Sequence, residues 1–379
     1  MKELAIFGST GSIGCSTLNV VRRHRDRFAV SILAAGRNLQ RLIEQIREFN
    51  PRHVYIIEEK DAAVLKALFP GLDIYRGEDG MDKVSRLTDF DIGVSALVGV
   101  AGLRPTWNMI NNGKTVALAN KEVLVAGGRL VMEAARKQGA ALLTVDSEHS
   151  AIMQCLRGEN HREIERILLT ASGGPFFDRE ITDGITPEEA LRHPTWKMGP
   201  KITIDSATMM NKGFEIIEAR WLFDVPVERV QVVIHRQSIV HSMVEFKDGS
   251  IMANIAPPDM ELPIAYALSY PERMEMPQRL DIFAMKALEF KAPDEEKFPC
   301  LRLAKEAARA GHGAQVVLNA ANEALVARFL AGGLRFTDIP RGVEEMLRQH
   351  TPGEPGSIDE VLALDEETRH RTEEWMKTR

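Results

Sequence analysis

The apolar run Leu4-Ala5-Ile6-Phe7 passes straight into Gly8-Ser9-Thr10-Gly11-Ser12-Ile13-Gly14, and from there into the helix-like stretch Ile13–Arg23. A strand, a glycine turn and a helix in that order narrow the possible folds sharply. Glycines let the backbone approach a pyrophosphate, and the free N–H groups at the helix start favour its charge. The spacing is GxxGxxG, looser than GxGxxG, and a plain Gly-rich strand-to-helix turn has the same composition. The strand–turn–helix context weighs for a cofactor. The alternation then continues. Ala29–Ala34, Val54–Ile57, Ile92–Ser95, Thr115–Leu118 and Leu142–Val145 read as strands, with helix-like stretches Leu39–Phe49, Arg104–Asn111 and Glu122–Lys137 between them. Such a pattern predicts a mostly parallel, Rossmann-like sheet with helices on both faces.

Beyond this region the pattern changes. Helix-like Ser150–Arg157 leads to a strand at Arg166–Ala171, and a Gly- and Pro-containing stretch runs from Gly173 to Pro200. Lys201–Asp205 alternates like a strand, and Val230–His235, Ile239–Phe246 and Ile251–Ile255 follow, the last two flanking an Asp-Gly hairpin signal. These features predict an α+β unit with a partly antiparallel sheet. Pro293 and Pro299 mark a connecting arm, and the remainder reads as a small helical bundle whose last helix opens on the capping box Ser357–Glu360. The expected boundaries are 1–146 for a dinucleotide-binding domain, 147–277 for a catalytic domain with a lid at 173–200, 278–300 for the arm and 301–379 for the bundle.

Two stretches concentrate chemistry. Asp146-Ser147-Glu148-His149 follows a buried strand, and Ser206–Glu215 packs hydroxyls, an amide, an ammonium and a carboxylate into ten residues. Carboxylates suit a hard divalent cation, while Ser, Asn and Lys suit a phosphate. Asn211 and Lys212 share a helix face with Glu215, at spacings i, i+4 and i, i+3. Taken singly, each stretch also reads as an acidic first helical turn or a local ion pair. Together they favour a metal site with Asp146, Glu148 and Glu215 as ligands, beside a phosphate pocket. His149 reads as a supporting or core histidine, and His235 and His241 as structural. Asn120-Lys121-Glu122 lies at a strand's carboxyl end, where Lys121 could reach substrate oxygens; an N-cap at Asn120 and a first-turn acid at Glu122 explain the same residues. Gly36-Arg37-Asn38 ends the second strand without the acidic residue that holds an NAD ribose. Arg37 suits a 2′-phosphate, and equally an exposed loop arginine. Thr186–Glu189 is a second capping box, within the lid segment that carries His193 and Trp196. Trp196 is placed either to cover a substrate or to anchor a surface loop.

Composition narrows the class. At 379 residues, 44% hydrophobic and 27% charged, the chain is globular and long enough for two or three domains. A net charge of −6 argues against a general nucleic-acid binder. Three scattered cysteines without a CxxC spacing indicate neither a zinc knuckle nor a disulfide framework. The first residues lack a basic segment and a long apolar run, and the most apolar stretch, Val94–Leu103, falls short of the roughly 20 residues a membrane helix needs. A cytoplasmic protein with no membrane segment is expected.

The segments GSTGSIG (8–14), LANKE (118–122), TVDSEH (144–149), TASGGPF (170–176), RHPTWKMG (192–199), DSATMMNKG (205–213), HSMVEF (241–246), PPDM (257–260) and LNAANE (318–323) span nearly the whole chain. In that order they resemble the 1-deoxy-D-xylulose 5-phosphate reductoisomerase family. The resemblance implies conversion of that sugar phosphate to 2-C-methyl-D-erythritol 4-phosphate, with NADPH and a divalent metal (Mg2+, Mn2+ or Co2+), in a homodimer. It implies metal ligation by Asp146, Glu148 and Glu215, with Lys121 beside them in catalysis. Substrate contacts fall on Lys121, Ser147, Glu148, Ser172, His193, Trp196, Ser206, Asn211, Lys212 and Glu215. Cofactor contacts fall on Gly8, Thr10, Gly11, Ser12, Ile13, Gly36, Arg37, Asn38, Asn120, Glu122 and Gly199. Three positions depart from the family's usual pattern: Val123 for a serine, Phe214 for a leucine and Arg236 for a proline. A plain NADP-dependent dehydrogenase of a phosphorylated aldehyde would explain the glycine loop but not three carboxylates. A nucleotide-sensing binding protein would explain the layout but not the phosphate cluster.

Overall fold

The computed structural model describes residues 1–351 and 353–378. The chain forms two compact units: Met1–Val123, Val131–Ser150 and Asp259–Met276 make one, and Leu124–Leu130, Ala151–Pro258 and the chain from Pro277 onward make the other.

The first unit is built on seven strands, β1 (Lys2–Phe7), β2 (Phe28–Ala34), β3 (His53–Ile56), β4 (Asp73–Arg76), β5 (Ile92–Ser95), β6 (Thr115–Leu118) and β7 (Leu142–Thr144). All neighbours are parallel, in the order β4-β3-β2-β1-β5-β6-β7. Helices α1 (Ser12–Arg23), α2 (Leu39–Phe49), α3 (Glu59–Leu68), α4 (Gly77–Ser85), α5 (Leu103–Asn111) and α6 (Glu122–Gln138) make the crossovers. Central strands of such a sheet are covered on both faces and so read as continuous apolar runs. Leu4, Ile6, Ile32, Val94, Val116 and Leu118 are fully buried accordingly. The strand order reverses at β1, and the carboxyl ends of β1, β5 and β6 carry the glycine turn, the loop from Ala96 and Asn120-Lys121, the edge at which such sheets bind ligands. Helix α7 (Ser147–Cys155) begins just after β7. The edge strand β4 has no counterpart in the sequence reading, because its pattern of partly exposed and exposed residues carries no alternation.

In the second unit β8 (Ile164–Ala171) is followed by α8 (Pro187–Ala190), α9 (Pro200–Thr208), α10 (Met210–Phe223), β9 (Val230–Ile234), β10 (Val240–Phe246) and β11 (Ile251–Ile255). The sheet runs β11-β10-β8-β9, antiparallel except for the β8–β9 pair. After α11 (Glu261–Ser269), which belongs to the first unit, come α12 (Pro299–Ala310), α13 (His312–Leu330), α14 (Asp338–Gln349) and α15 (Ile358–Met376). The bundle centres on α13, whose Val316, Leu318, Ala320, Ala321 and Leu325 are all buried. Ser357 caps α15 by accepting from Glu360 N at 3.2 Å, but Glu360 returns its carboxylate to Gly356 N rather than to the cap. The capping box at Thr186 is complete.

One expected element changes type. Lys201–Asp205 is not a strand but the first half of α9. The alternation of polar residues with Ile202 and Ile204 imitates a strand, yet Pro200 at the first helical position and Gly199 as N-cap start a helix. Lys201 then reaches Asp205 at 2.7 Å, one turn on. Tertiary burial of Thr203, Ile204, Ala207 and Thr208 overrides local propensity.

Candidate active site

The glycine turn is shaped by close packing. Gly8 has φ +96°, and a Cβ there would stand 2.4 Å from the Ala96 carbonyl oxygen. Gly11 N–H donates back to Gly8 O at 3.0 Å, and the Gln45 side chain donates to Ser9 O at 2.9 Å. Helix α1 starts at Gly11 with no side chain capping its first N–H groups. Thr10, Gly11, Ser12 and Ile13 reach the surface there. At the end of β2, Gly36, Arg37 and Asn38 are exposed, and Asn38 caps α2 by accepting from Arg41 N at 3.2 Å. Arg37 is 81% exposed, with Glu58 at 3.5 Å. An uncapped helix start beside a cation-bearing second loop fits a phosphorylated dinucleotide.

At the carboxyl end of β6 the side chain of Asn120 is not a helix cap. Its amide donates to Leu97 O at 2.5 Å and Gly99 O at 2.9 Å, tying that loop down, and Lys121 takes the N-cap place of α6 with Glu122 next. The Lys121 ammonium lies 2.6 Å from the Asp146 carboxylate. His149, fully buried, faces the same carboxylate from 3.9 Å. Ser147 donates to Glu148 at 2.5 Å. Lys121, Asp146, Ser147 and Glu148 are thus brought together at the ends of adjacent strands β6 and β7.

In the second unit Glu215 is 1% exposed, and both Asn211 and Lys212 donate to it from the preceding turn of α10. Helix α9 ends where Met209 takes the left-handed conformation, φ +63°, and α10 begins at once. That sharp join sets Ser206, near the end of α9, within a few residues of Asn211 and Lys212 in the first turn of α10, which carries no side-chain cap from Met209. A non-glycine residue held at positive φ costs of order 1–3 kcal/mol and persists where the surroundings demand it.

Ser172, after β8, accepts from Gly174 N at 3.2 Å and lies 2.9 Å from His193 Nε2. His193 Nδ1 accepts from Thr195 N at 3.1 Å and Trp196 N at 2.9 Å. Nδ1 therefore carries no proton, and Nε2–H donates to Ser172. Burial, and then the positive charge of Arg236, push His193 down to about 4, so the ring is neutral at neutral pH. Trp196 is half-buried, its ring centroid 6.4 Å from that of His241. Gly174 backs onto Ser206, since a Cβ there would stand 2.6 Å from Ser206 O. Ser172, His193 and Ser206 are thereby neighbours. Gly199 stands exposed at the start of α9. His235 and His241 are structural: His235 bonds Glu289 O at 2.9 Å and Val240 N at 3.2 Å, and His241 bonds Pro257 O at 3.2 Å.

With this arrangement in view, the likeness to known proteins is decisive. Family models described as 1-deoxy-D-xylulose 5-phosphate reductoisomerase match residues 4–128, its C-terminal domain 142–223, and a further C-terminal domain of the enzyme 255–371. The chain belongs to the 1-deoxy-D-xylulose 5-phosphate reductoisomerase family. The reductoisomerase of Prosthecochloris aestuarii is 52% identical over 370 residues, covering 96% of this chain and 97% of its own. That of Shouchella clausii is 48% identical over 374 residues, covering 97% and 99%. A reductoisomerase crystallised with NADPH, fosmidomycin and magnesium superposes with a TM-score of 0.95 at 40% identity, covering 100% of this chain and 98% of that one. The Zymomonas mobilis reductoisomerase bound to NADPH gives 0.93 at 42%, with both chains covered fully.

Sequence reading missed two groups around these residues. Asp205, buried, is held by Lys201 at 2.7 Å and by Asn322 of α13 at 2.8 Å. Asn322 lies in the LNAANE segment, so that motif has a structural role and fastens α9 to the bundle. The other is Arg236, which donates to the carbonyls of Ser172 and Gly174. Lys201 and Asp205 are i, i+4 on α9, but the segment reads as a strand in the sequence, which hides that relation, and the Asn322 and Arg236 contacts join residues far apart in the chain.

Proposed function

We infer that the chain converts 1-deoxy-D-xylulose 5-phosphate to 2-C-methyl-D-erythritol 4-phosphate, rearranging the carbon skeleton and reducing the resulting aldehyde with NADPH, and that Asp146, Glu148 and Glu215 hold the divalent ion this requires. The reading rests above all on Lys121 and Asp146, an ammonium 2.6 Å from a carboxylate at the ligand-binding edge of the sheet, in a chain of this family. The three carboxylates offer only oxygen donors, the set a hard ion such as magnesium takes, with manganese or cobalt as substitutes. When bound, the ion polarises the substrate's adjacent oxygens and NADPH supplies the hydride.

The chain's own residues bind and orient. Lys121 adds positive charge beside Asp146, where an oxyanion gains from it. Ser172, Ser206, Asn211 and Lys212 hold the phosphate. His193 stays neutral and donates to Ser172, so Ser172 keeps its own hydroxyl proton for the phosphate. Ser147 and Trp196 line the substrate's remaining sides. Gly8, Thr10, Gly11, Ser12 and Ile13 take the cofactor's pyrophosphate, Gly36, Arg37 and Asn38 its 2′-phosphate end, and Asn120, Glu122 and Gly199 its other side. Loss of NADPH absorbance should require both the pentulose phosphate and magnesium, stop on chelation, and resume when magnesium is restored. Oxidation that runs unchanged with the chelator would remove the metal from the reaction.

We also assign a homodimer. Strand β11 pairs only with β10 among the described strands, and its Ile251, Met252 and Ile255 are 52%, 40% and 40% exposed. An open, apolar edge strand of this kind invites pairing with a second copy. No helix among the described residues is long and apolar enough to cross a membrane, and the thiols of Cys15, Cys155 and Cys300 are free, as a cytoplasmic protein's would be. Met252→Lys should shift sedimentation from dimer to monomer; an unchanged dimer would place the interface elsewhere.

A further inference from the structure

Arg236 sits just past the end of β9, on a turn that is itself fixed. His235 is locked by its bonds to Glu289 O and Val240 N, and Ser238 N–H closes the turn onto His235 O at 3.1 Å. From this base the half-buried Arg236 side chain reaches across to the segment after β8. One nitrogen, Nη1, donates to Ser172 O at 2.8 Å and to Gly174 O at 2.6 Å. Nη2 lies 3.5 Å from the Asp178 carboxylate, and the guanidinium stands 5.6 Å from the centre of the Phe177 ring. The two carbonyls converge on a single donor because Gly173 and Gly174 are consecutive left-handed residues, φ +78° and +67°.

We propose that Arg236 is a positioning residue for the substrate's phosphate: by drawing the Ser172 and Gly174 carbonyls onto one nitrogen, it fixes the direction of the Ser172 hydroxyl. Ser172 Oγ already accepts two hydrogen bonds, from His193 Nε2–H and Gly174 N–H. A hydroxyl oxygen has two acceptor sites, so the remaining O–H can only donate. It donates away from this cluster, to an acceptor outside it. Without Arg236 the two-glycine turn is free to relax, Gly174 N–H leaves Ser172, and the hydroxyl loses its single direction. Arg236 need not touch the substrate; it acts through Ser172.

The proposal rests on Ser172 being a phosphate contact, and the test separates the two. Fosmidomycin, the phosphonate bound in the related structure, is titrated into the NADPH- and magnesium-loaded protein. Ser172→Ala and Arg236→Ala should each weaken it about tenfold, the loss of one oriented hydrogen bond. The double variant should stay within about twofold of Ser172→Ala alone, since residues acting through one contact are not additive. NADPH affinity should not move in any of them. Arg236→Lys should recover binding to within about threefold of the parent, because both bonds come from one nitrogen and an ammonium has three protons to give. Losses that multiply in the double variant, or tight binding by Arg236→Ala, would overturn the role of Arg236 alone. Tight binding by Ser172→Ala would overturn the phosphate contact and this inference with it.

Discussion

Glu215→Gln is expected to lower turnover at limiting magnesium by at least about a hundredfold, as even the outer partners of a metal site commonly cost 10–100-fold in affinity. NADPH affinity should be unchanged. The substitution keeps the side chain's shape and removes the charge that a divalent ion needs. It also has a second effect. Glu215 is buried against Lys212 and Asn211. Removing one member of a buried pair strands the other, at a cost of about 3–5 kcal/mol. A lower melting temperature is therefore expected as well, and activity loss alone would not distinguish a lost ligand from a loosened fold. The two separate by ligand. Fosmidomycin brings negative charge toward Lys212 and should restore much of the lost stability. It cannot restore the ligand, so the magnesium concentration giving half-maximal turnover should stay raised in protein that is fully folded. Turnover near the parent's at limiting magnesium would remove Glu215 from the metal's ligands. A melting curve that fosmidomycin leaves untouched would remove Lys212 from the phosphate.

The same helix shows what a sequence can and cannot display. β5 and β6 fall on the residues read as strands, and α2 on Leu39–Phe49, because a buried parallel strand is a short continuous apolar run and an amphipathic helix repeats its apolar face. The exposed, antiparallel β11 is legible instead from the Asp-Gly hairpin signal before it. Those signals are local. The Lys201–Asp205 segment is ambiguous locally, and its helix is decided by what buries it, including Asn322, 117 positions away on α13. The site divides along the same line. The i, i+3 and i, i+4 relations of Lys212 and Asn211 to Glu215 could be read from spacing, and they hold. The Ser172–His193 bond spans 21 residues through a loop, and the Arg236 bonds to Ser172 and Gly174 span 64 and 62. No period or motif spacing encodes contacts of that kind; only family resemblance points to Ser172 and His193 as substrate contacts, and Arg236 stands out only as a departure from the family's proline, with no role attached. Asn120 shows the reverse error. Its place before a helix is that of an N-cap, but a loop lying within reach of its amide claims it first.

Arg37→Ala should weaken NADPH by about 10–150-fold, the equivalent of one charge-assisted hydrogen bond of roughly 1.5–3 kcal/mol, while NADH changes little. The effect should be almost purely on binding. Arg37 is 81% exposed, and its ion pair with the exposed Glu58 is 3.5 Å long, so little folding stability depends on it. The loop that carries it is held independently. Gly36 O accepts Ile57 N–H at 3.3 Å, and Asn38 caps α2. The backbone should therefore keep its course when the side chain is cut back. No acidic residue stands at 36–38 to hold a ribose 2′-hydroxyl, so NADH has nothing to lose there. Glu58 sharpens the test. A 2′-phosphate that binds Arg37 must outcompete that carboxylate, and with Arg37 gone Glu58 is left facing the phosphate as a like charge. Both changes act against NADPH and neither against NADH. Because the groups are exposed, salt screens them, and the two cofactors need to be compared at one fixed, low ionic strength. Equal weakening of NADPH and NADH would mean that Arg37 supports the adenosine pocket in general. No weakening of either would leave it an exposed loop arginine, and the preference for NADPH would have to come from another cation near the end of β2.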